Sequence, residues 1–134
     1  MSSSTQTTRP TLRRTSVGSL LCWAAFALAC AVNLYGLYAP SQPGPALFTG
    51  ADKVGHLLSF AFVMGTGLLA GIPARWLAAA LLAHAIVSEL IQYLVLPGRS
   101  GDPVDVVADV VGIGIGWAGG HLLARRLRRG EVRV

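Results

Sequence analysis

The chain has 134 residues, of which 53% are hydrophobic and only 13% are charged, and its mean hydropathy is +0.58. Soluble domains carry about 25% charged residues, so the composition excludes an ordinary soluble domain and indicates one small membrane-embedded domain. The net charge of +5 does not indicate nucleic-acid binding, because most arginines lie near the two ends of the chain and not on a soluble face.

Four apolar stretches are each long enough to cross a bilayer as a helix, which takes about 20 residues. They are separated by short segments rich in proline, glycine or arginine, which are typical of turns and loops. The sequence therefore predicts an all-α integral membrane four-helix bundle, with spans at residues 17–39, 54–72, 76–96 and 104–124.

The distribution of positive charge predicts the orientation of these spans. Nine arginines fall on one side of a four-span arrangement, and only Lys53 and Arg99 fall on the other. We therefore expect both termini in the cytoplasm. Residues 1–16 form a disordered basic tail in this scheme, residues 17–124 form the membrane domain, and residues 125–134 form a basic cytoplasmic tail.

Polar residues recur near one end of the second, third and fourth spans, and the topology brings these ends to the same side. Asp52 and His56 are four residues apart and Glu89 and Gln92 are three apart, so each pair shares one face of its helix. Acids inside a membrane are costly and usually have partners. We predict one outer-facing polar cleft formed by eight residues: Asp52, Lys53, His56, Glu89, Gln92, Arg99, Asp105 and Asp109.

The start of the fourth span is well marked. Asp102 suits the N-cap position, Pro103 suits the first helical position, and Asp105 falls in the first turn, where the helix dipole favours an anion. Small residues then recur at every fourth position, a pattern that lets another helix approach closely. We expect this helix to pack centrally through Ala108, Gly112, Gly116 and Gly120. In the third span, we expect His84 to form a hydrogen bond with a neighbouring helix.

The polar residues resemble the VanZ-like family of bacterial membrane proteins. The family's pattern is Asp-Lys-x-x-His, then Glu-x-x-Gln, then Arg-x5-Asp-x3-Asn-x2-Gly, and the chain has DKVGH, ELIQ and RSGDPVDVVADVVG in that order. Asp109 stands where the family has Asn. The resemblance covers roughly residues 50–120. It implies a multi-pass protein of the bacterial cytoplasmic (inner) membrane, and members are linked to low-level resistance to teicoplanin-type glycopeptides.

Two functions are consistent with this polar layer. In the first, the cleft binds or acts on a cell-envelope component, such as a lipid-linked or glycopeptide ligand at the outer face, and lowers glycopeptide sensitivity. In the second, the chain is a non-catalytic scaffold or assembly partner whose polar layer is a structural ion-pair network. The first is favoured because the layer contains five acids, counting Asp102, against two fixed cations, Lys53 and Arg99.

The sequence leaves catalysis open. His56 beside Asp52 could act as a base and Glu89 as an acid, and Lys53 with Arg99 could grip a phosphate. No Ser or Cys nucleophile lies at a fixed spacing from them. His56 with neighbouring carboxylates could hold a divalent ion. A single histidine without a dedicated ligand motif is weak evidence for one, so the sequence favours no metal and no cofactor. The expected surroundings are the lipid bilayer, with no nucleic acid, and the oligomeric state is not determined.

Overall fold

The computed structural model of the chain describes residues 17–39, 48–96, 99 and 101–131, apart from the side chains of residues 128, 130 and 131. The all-α prediction is confirmed, because every regular element in these ranges is a helix. The predicted N-terminal tail, residues 1–16, lies outside the described residues. The four helices are α1 (Val17–Tyr38), α2 (Ala51–Leu69), α3 (Ala74–Leu94) and α4 (Pro103–Glu131).

Three of the four helices are long and apolar enough to cross a membrane: α1, α3 and the part of α4 from Pro103 to Leu127. α2 falls short by composition, because Asp52, Lys53 and His56 lie in its first two turns. A fourth span at α2 therefore stays a prediction. α4 continues past the predicted boundary at residue 124 and includes most of the arginine-rich segment.

α2 makes the most extensive contacts in the bundle. It contacts each of the other three helices, as α3 also does, whereas α1 and α4 make no contact with each other in the described part of the chain. α4 packs against α2 through Gly112, Gly116 and Gly120 of its predicted small-residue stripe, and its central position stays a prediction. Glycines on two sides of α2 allow close contacts: Gly65 lies against Gly116 of α4, and Gly67 lies against Leu77 of α3 and Phe26 of α1. Small residues on both sides let neighbouring backbones approach α2 from more than one direction.

α2 and α4 run parallel to each other, with their N-terminal ends at the same end of the bundle. Lys53 contacts Asp105 and His56 contacts Asp109 at that end. Further along, the glycine stripe of α4 continues the contact, because Gly112 faces Leu57, Gly116 faces Ala61 and Gly120 faces Gly65. α1 and α3 run in the opposite direction, so the C-terminal ends of both reach the same polar end of the bundle.

The contact between α2 and α4 is a backbone contact. A Cβ atom added to Gly112 or Gly116 would overlap the carbonyl oxygens of Leu57 and Ala61 respectively. Ala108, at the head of the same stripe, is half-buried. The absence of side chains at the glycines is therefore what sets the distance between these two helices.

The buried apolar core lies between the helices, while the outer surface of the bundle is also apolar. Large hydrophobic side chains are exposed on all four helices, as on Leu28, Phe62, Ile86 and Ile115. An apolar surface of this extent is incompatible with water and fits a lipid bilayer environment. The core itself is formed by eight buried residues: Leu37, Phe60, Val63, Met64, Leu77, Leu81, Ala85 and Ile113.

Glycine substitutions on α4 test whether this close approach holds the two helices. We expect Gly116→Ala to destabilise the protein by about 1–3 kcal/mol, the usual cost of overpacking. Gly114→Ala is the matched control, because no atom of the described residues lies within 4 Å of a Cβ at that position. There, the better helix propensity of alanine should give a small gain of about 0.5–1 kcal/mol.

The measurement is the free energy of unfolding of the purified protein in detergent, followed by helical circular dichroism. Equal shifts for the two variants would contradict a tight backbone contact at Gly116.

Candidate functional site

The first layer of the site is an ion-pair network centred on Lys53. Its ammonium nitrogen Nζ donates to Asp102 Oδ2 at 2.6 Å and to Asp105 Oδ1 at 3.0 Å, and it lies 3.5 Å from Asp52 Oδ2. The side chains of Lys53 and Asp52 are 34% exposed and that of Asp102 is 39% exposed, while that of Asp105 is 8% exposed. The network is therefore accessible from one end of the bundle and becomes buried toward Asp105.

One turn deeper, His56 of α2 pairs with Asp109 of α4. The distance from His56 Nδ1 to Asp109 Oδ1 is 3.0 Å. An ionised carboxylate can only accept, so the ring N–H is the donor when Asp109 is ionised. Asp109 is fully buried and His56 is nearly so. Because Asp109 holds Nδ1, the Nε2 atom is the ring nitrogen that is available to a ligand.

Glu89 of α3 completes this inner layer. Its Oε2 atom accepts a hydrogen bond from the backbone N–H of Asp102 at 2.9 Å. Its Oε1 atom is buried and has no hydrogen-bond partner among the residues that the structure describes, and the same is true of Asp109 Oδ2. Buried polar atoms almost always have partners, so two such oxygens in one small region indicate spare acceptor capacity.

Three of these side chains come together from three different helices. The ligand atoms of His56, Glu89 and Asp105 all lie within 4.8 Å of one another, and all three residues are buried. We use the name polar cluster for the whole set: Asp52, Lys53, His56, Glu89, Asp102, Asp105 and Asp109.

Two residues predicted for the cleft make their described hydrogen bonds elsewhere. Gln92 Nε2 donates to the carbonyl oxygen of Leu37 at 3.1 Å, and Arg99 Nη2 donates to that of Gly36 at 2.6 Å. Both carbonyls belong to the last turn of α1, where helix carbonyls have no intrahelical partner and the dipole favours a cation. These two side chains therefore fasten the end of α1 to the bundle. Arg99 Nε is buried and has no partner within the described part of the chain.

Asp102 has a larger role than the sequence indicates. Its predicted function as the N-cap of α4 is confirmed, since its Oδ1 atom accepts a hydrogen bond from the backbone N–H of Val104 at 2.9 Å. Its other carboxylate oxygen contacts Lys53, and its own N–H holds Glu89. One loop residue thus connects α2, α3 and α4, which no helical periodicity reveals.

A second polar group, below the polar cluster, contains Asn33, which the sequence reasoning missed. Its Nδ2 atom donates to Ser59 Oγ at 3.0 Å, and its Oδ1 atom lies 3.1 Å from His84 Nε2. The hydroxyl of Tyr38 lies 3.5 Å from His84 Nδ1. The predicted interhelical hydrogen bond of His84 is therefore confirmed. The signal was available, because Asn33 is the only asparagine in the chain and interrupts an apolar span.

The charges of the polar cluster do not balance. It holds five carboxylates, and Lys53 is the one fixed cation that forms ion pairs with them in the described part of the chain. At the exposed edge, the ammonium of Lys53 holds the pKa of the Asp102 carboxyl below its ordinary value. The excess of acid is larger than the sequence predicted, because Arg99 forms no ion pair with any of them.

Comparison with known proteins identified no relative of the chain. No family model, curated protein or solved structure matches the chain. The resemblance to the VanZ-like pattern therefore rests only on the sequence motifs within residues 50–120. The chemistry of the polar cluster is the remaining basis for a function.

The lowered pKa of Asp102 predicts a pH-dependent contribution to stability. A carboxyl whose pKa is depressed by folding stabilises the folded state above its unfolded pKa of about 3.9, and this contribution disappears as the pH falls through the folded value. Asp102→Asn keeps an oxygen that can cap α4 but loses the charge that pairs with Lys53.

We expect the unfolding midpoint of Asp102→Asn to lie below that of the native protein at about pH 7. The difference should shrink below about pH 4, as measured by thermal unfolding in detergent at several pH values. A difference that stays constant with pH would show that the ion pair with Lys53 does not stabilise the fold.

Proposed function

We propose that this chain is a four-span, VanZ-like protein of the bacterial cytoplasmic membrane with both termini in the cytoplasm. Its polar cluster faces the outer side and binds or acts on a cell-envelope component, which lowers sensitivity to glycopeptides. The observation that carries the proposal is a pair of buried oxygens, Glu89 Oε1 and Asp109 Oδ2, that have no partner in the described ranges of the chain and lie beneath a network that is about one-third exposed. A purely structural network has no reason to keep buried acceptors unused.

The faces of α2 support a fourth span. Its polar side chain His56 is buried against α4, whereas Val54, Leu58 and Phe62 are exposed on the outside at helical spacing. α2 also lies beside α4 along the whole glycine stripe. The apolar outer face of α2 and its parallel contact with α4 therefore both support the proposal that α2 also lies within the membrane.

The ends of α4 support the orientation. Its first turns carry the acids of the polar cluster, and its last turns carry the exposed residues Arg125, Arg126 and Arg129. Arginine near the end of a span favours the cytoplasmic side. The opposite end, with the polar cluster, then faces the outer side.

Cysteine labelling tests this orientation. In a background with Cys22 and Cys30 replaced by alanine, we expect Phe48→Cys, an exposed position next to the start of α2, to react with a membrane-impermeant maleimide in intact cells. The matched position at the other end of α4, Arg129→Cys, should react only after the cells are permeabilised. The reverse pattern would contradict an outer-facing polar cluster and with it the proposed function.

The chemistry of the polar cluster restricts the ligand. Lys53 already contacts three carboxylates and Arg99 donates to a helix carbonyl, so neither supports the phosphate-gripping role that the sequence left open. The unused groups are acceptors. A headgroup or antibiotic that presents amino, hydroxyl or amide donors therefore suits the site better than an anion.

Charge-neutral variants of the acids separate a binding site from a scaffold. Glu89→Gln keeps the shape and the acceptor for the Asp102 N–H, but removes the charge of the carboxylate whose Oε1 atom has no partner among the described residues. We expect it to abolish the resistance to teicoplanin-type glycopeptides that the native protein confers on an expressing strain, at unchanged membrane abundance. Asp105→Asn should behave in the same way.

The control is Glu131→Gln, which removes the same charge at the far end of α4 and should leave the resistance unchanged. The measurements are the inhibitory concentration and the amount of protein in the membrane fraction. Depletion of the protein by Glu89→Gln and Asp105→Asn would favour the structural ion-pair network. Full resistance in both variants would contradict a ligand site at these acids.

Binding and catalysis are distinguished with the purified protein. Incubation with lipid-linked cell-wall precursors, followed by mass spectrometry, shows a changed product only if the protein acts on them. Retention of an unchanged precursor, lost in Glu89→Gln, would identify the protein as a binder.

A further inference from the structure

We propose that His56, Glu89 and Asp105 bind a single divalent metal ion of the kind that accepts mixed nitrogen and oxygen ligands, with Zn²⁺ and Mn²⁺ as the leading members of that class. The sequence alone provided only weak evidence for an ion at His56, because a single histidine without a ligand motif carries little information. The structure brings carboxylates from two other helices to that histidine. The proposal rests on this geometry alone and does not depend on the proposed function.

The distances allow an ion with small movements of the side chains. The three candidate ligand atoms lie within 4.8 Å of one another. Tetrahedral bonds of about 2.0–2.2 Å to nitrogen and oxygen place neighbouring ligand atoms about 3.3–3.6 Å apart. A pair of atoms at the limit of 4.8 Å therefore has to approach by about 1.2–1.5 Å. Rotamer adjustment of side chains from α2, α3 and α4 can supply this movement without a shift of the helices.

Asp109 holds His56 in the manner typical of metal sites. Histidine ligands almost always donate their second ring N–H to a carboxylate or carbonyl, which fixes the ring and increases the basicity of the ligating nitrogen. Here Nδ1 is held by Asp109 Oδ1 at 3.0 Å, and Asp109 is fully buried. Asp109 is therefore a positioning residue that presents Nε2 to the ion.

Glu89 gives evidence for a ligand that is independent of the distances. It is only 7% exposed, and its Oε1 atom is buried without a hydrogen bond to any described residue. The Oε2 atom is fixed by the backbone N–H of Asp102, so the carboxylate is already oriented. A buried carboxylate oxygen without a donor is costly, and a cation between Glu89, Asp105 and His56 would satisfy it.

Lys53 does not exclude an ion from this position. It donates to Asp105 Oδ1, but it also contacts Asp52 and Asp102, which lie on the exposed side. Its ammonium group keeps its ion pairs with these two carboxylates while Asp105 turns toward the ion. A divalent ion then offsets two of the excess negative charges. In this arrangement Lys53 lies at the rim of the polar cluster and the ion lies at its base.

The test uses the full chain, purified in detergent without a histidine tag and stripped with a chelator. After equilibrium dialysis against Zn²⁺ or, in parallel, Mn²⁺, we expect saturable binding of one ion per chain by elemental analysis and a higher unfolding midpoint with the ion. Glu89→Gln and Asp105→Asn should abolish both effects. Asp109→Asn should weaken binding about 10–100-fold.

Two matched controls should bind like the native protein. Glu131→Gln removes an acid at the far end of α4, and His121→Gln removes a histidine that lies against the Trp117 carbonyl of the same helix. If Glu89→Gln does not fold, the absorption spectrum of Co²⁺ bound to the native protein and to His56→Gln provides the second measurement. A spectrum of the same intensity in both would overturn the proposal.

Absence of saturable binding, or binding that survives Glu89→Gln and Asp105→Asn, would also overturn the proposal. The outcome is distinguishable from that of the proposed function. Metal binding in a protein that confers no glycopeptide resistance would leave the metal site standing, and resistance without metal binding would leave the envelope function standing.

Discussion

The close parallel contact between α2 and α4 is the interaction on which the rest of the structure depends. Gly112 and Gly116 leave so little between the helices that a single methyl group would meet backbone oxygen. Because the helices are parallel and in register, the first turns of both meet at one end. There the contact places Lys53 against Asp105 and His56 against Asp109. The glycine stripe and the acidic stripe of α4 are therefore two parts of one arrangement.

The polar cluster combines two physical situations. At the rim, partly exposed carboxylates surround Lys53, and ion pairs of this kind contribute little to stability on their own. At the base, Asp109 and Glu89 are removed from water, and a buried charge is costly unless it is paired. Shared contacts, above all those of Asp102, connect rim and base. At this buried end, acceptor oxygens of Glu89 and Asp109 can bind a cation or a hydrogen-bond donor.

α1 and α3 close the polar end from the other direction. Their C-terminal turns arrive where α2 and α4 begin, and carbonyl oxygens at the end of α1 accept hydrogen bonds from Gln92 and Arg99. Below them, Asn33 connects α1 to Ser59 and His84. Such interhelical hydrogen bonds contribute about 0.6 kcal/mol each on average in membrane proteins, so their main effect is to set the register of α1 against α2 and α3.

The sequence by itself determined the helices, because apolar runs of about 20 residues permit little else in a membrane. It also determined the start of α4, since Asp102 and Pro103 act through local backbone geometry that no distant contact changes. The sequence also predicted that Glu89, His56 and Asp105 share one cleft, but the hydrogen-bond partners of each group were decided only by the tertiary structure. Arg99 was expected among acids but donates to α1, and Glu89 accepts from the backbone N–H of Asp102. The physical reason is that spacing along a helix defines a face, whereas partners on another helix depend on how closely and in which direction the backbones pack.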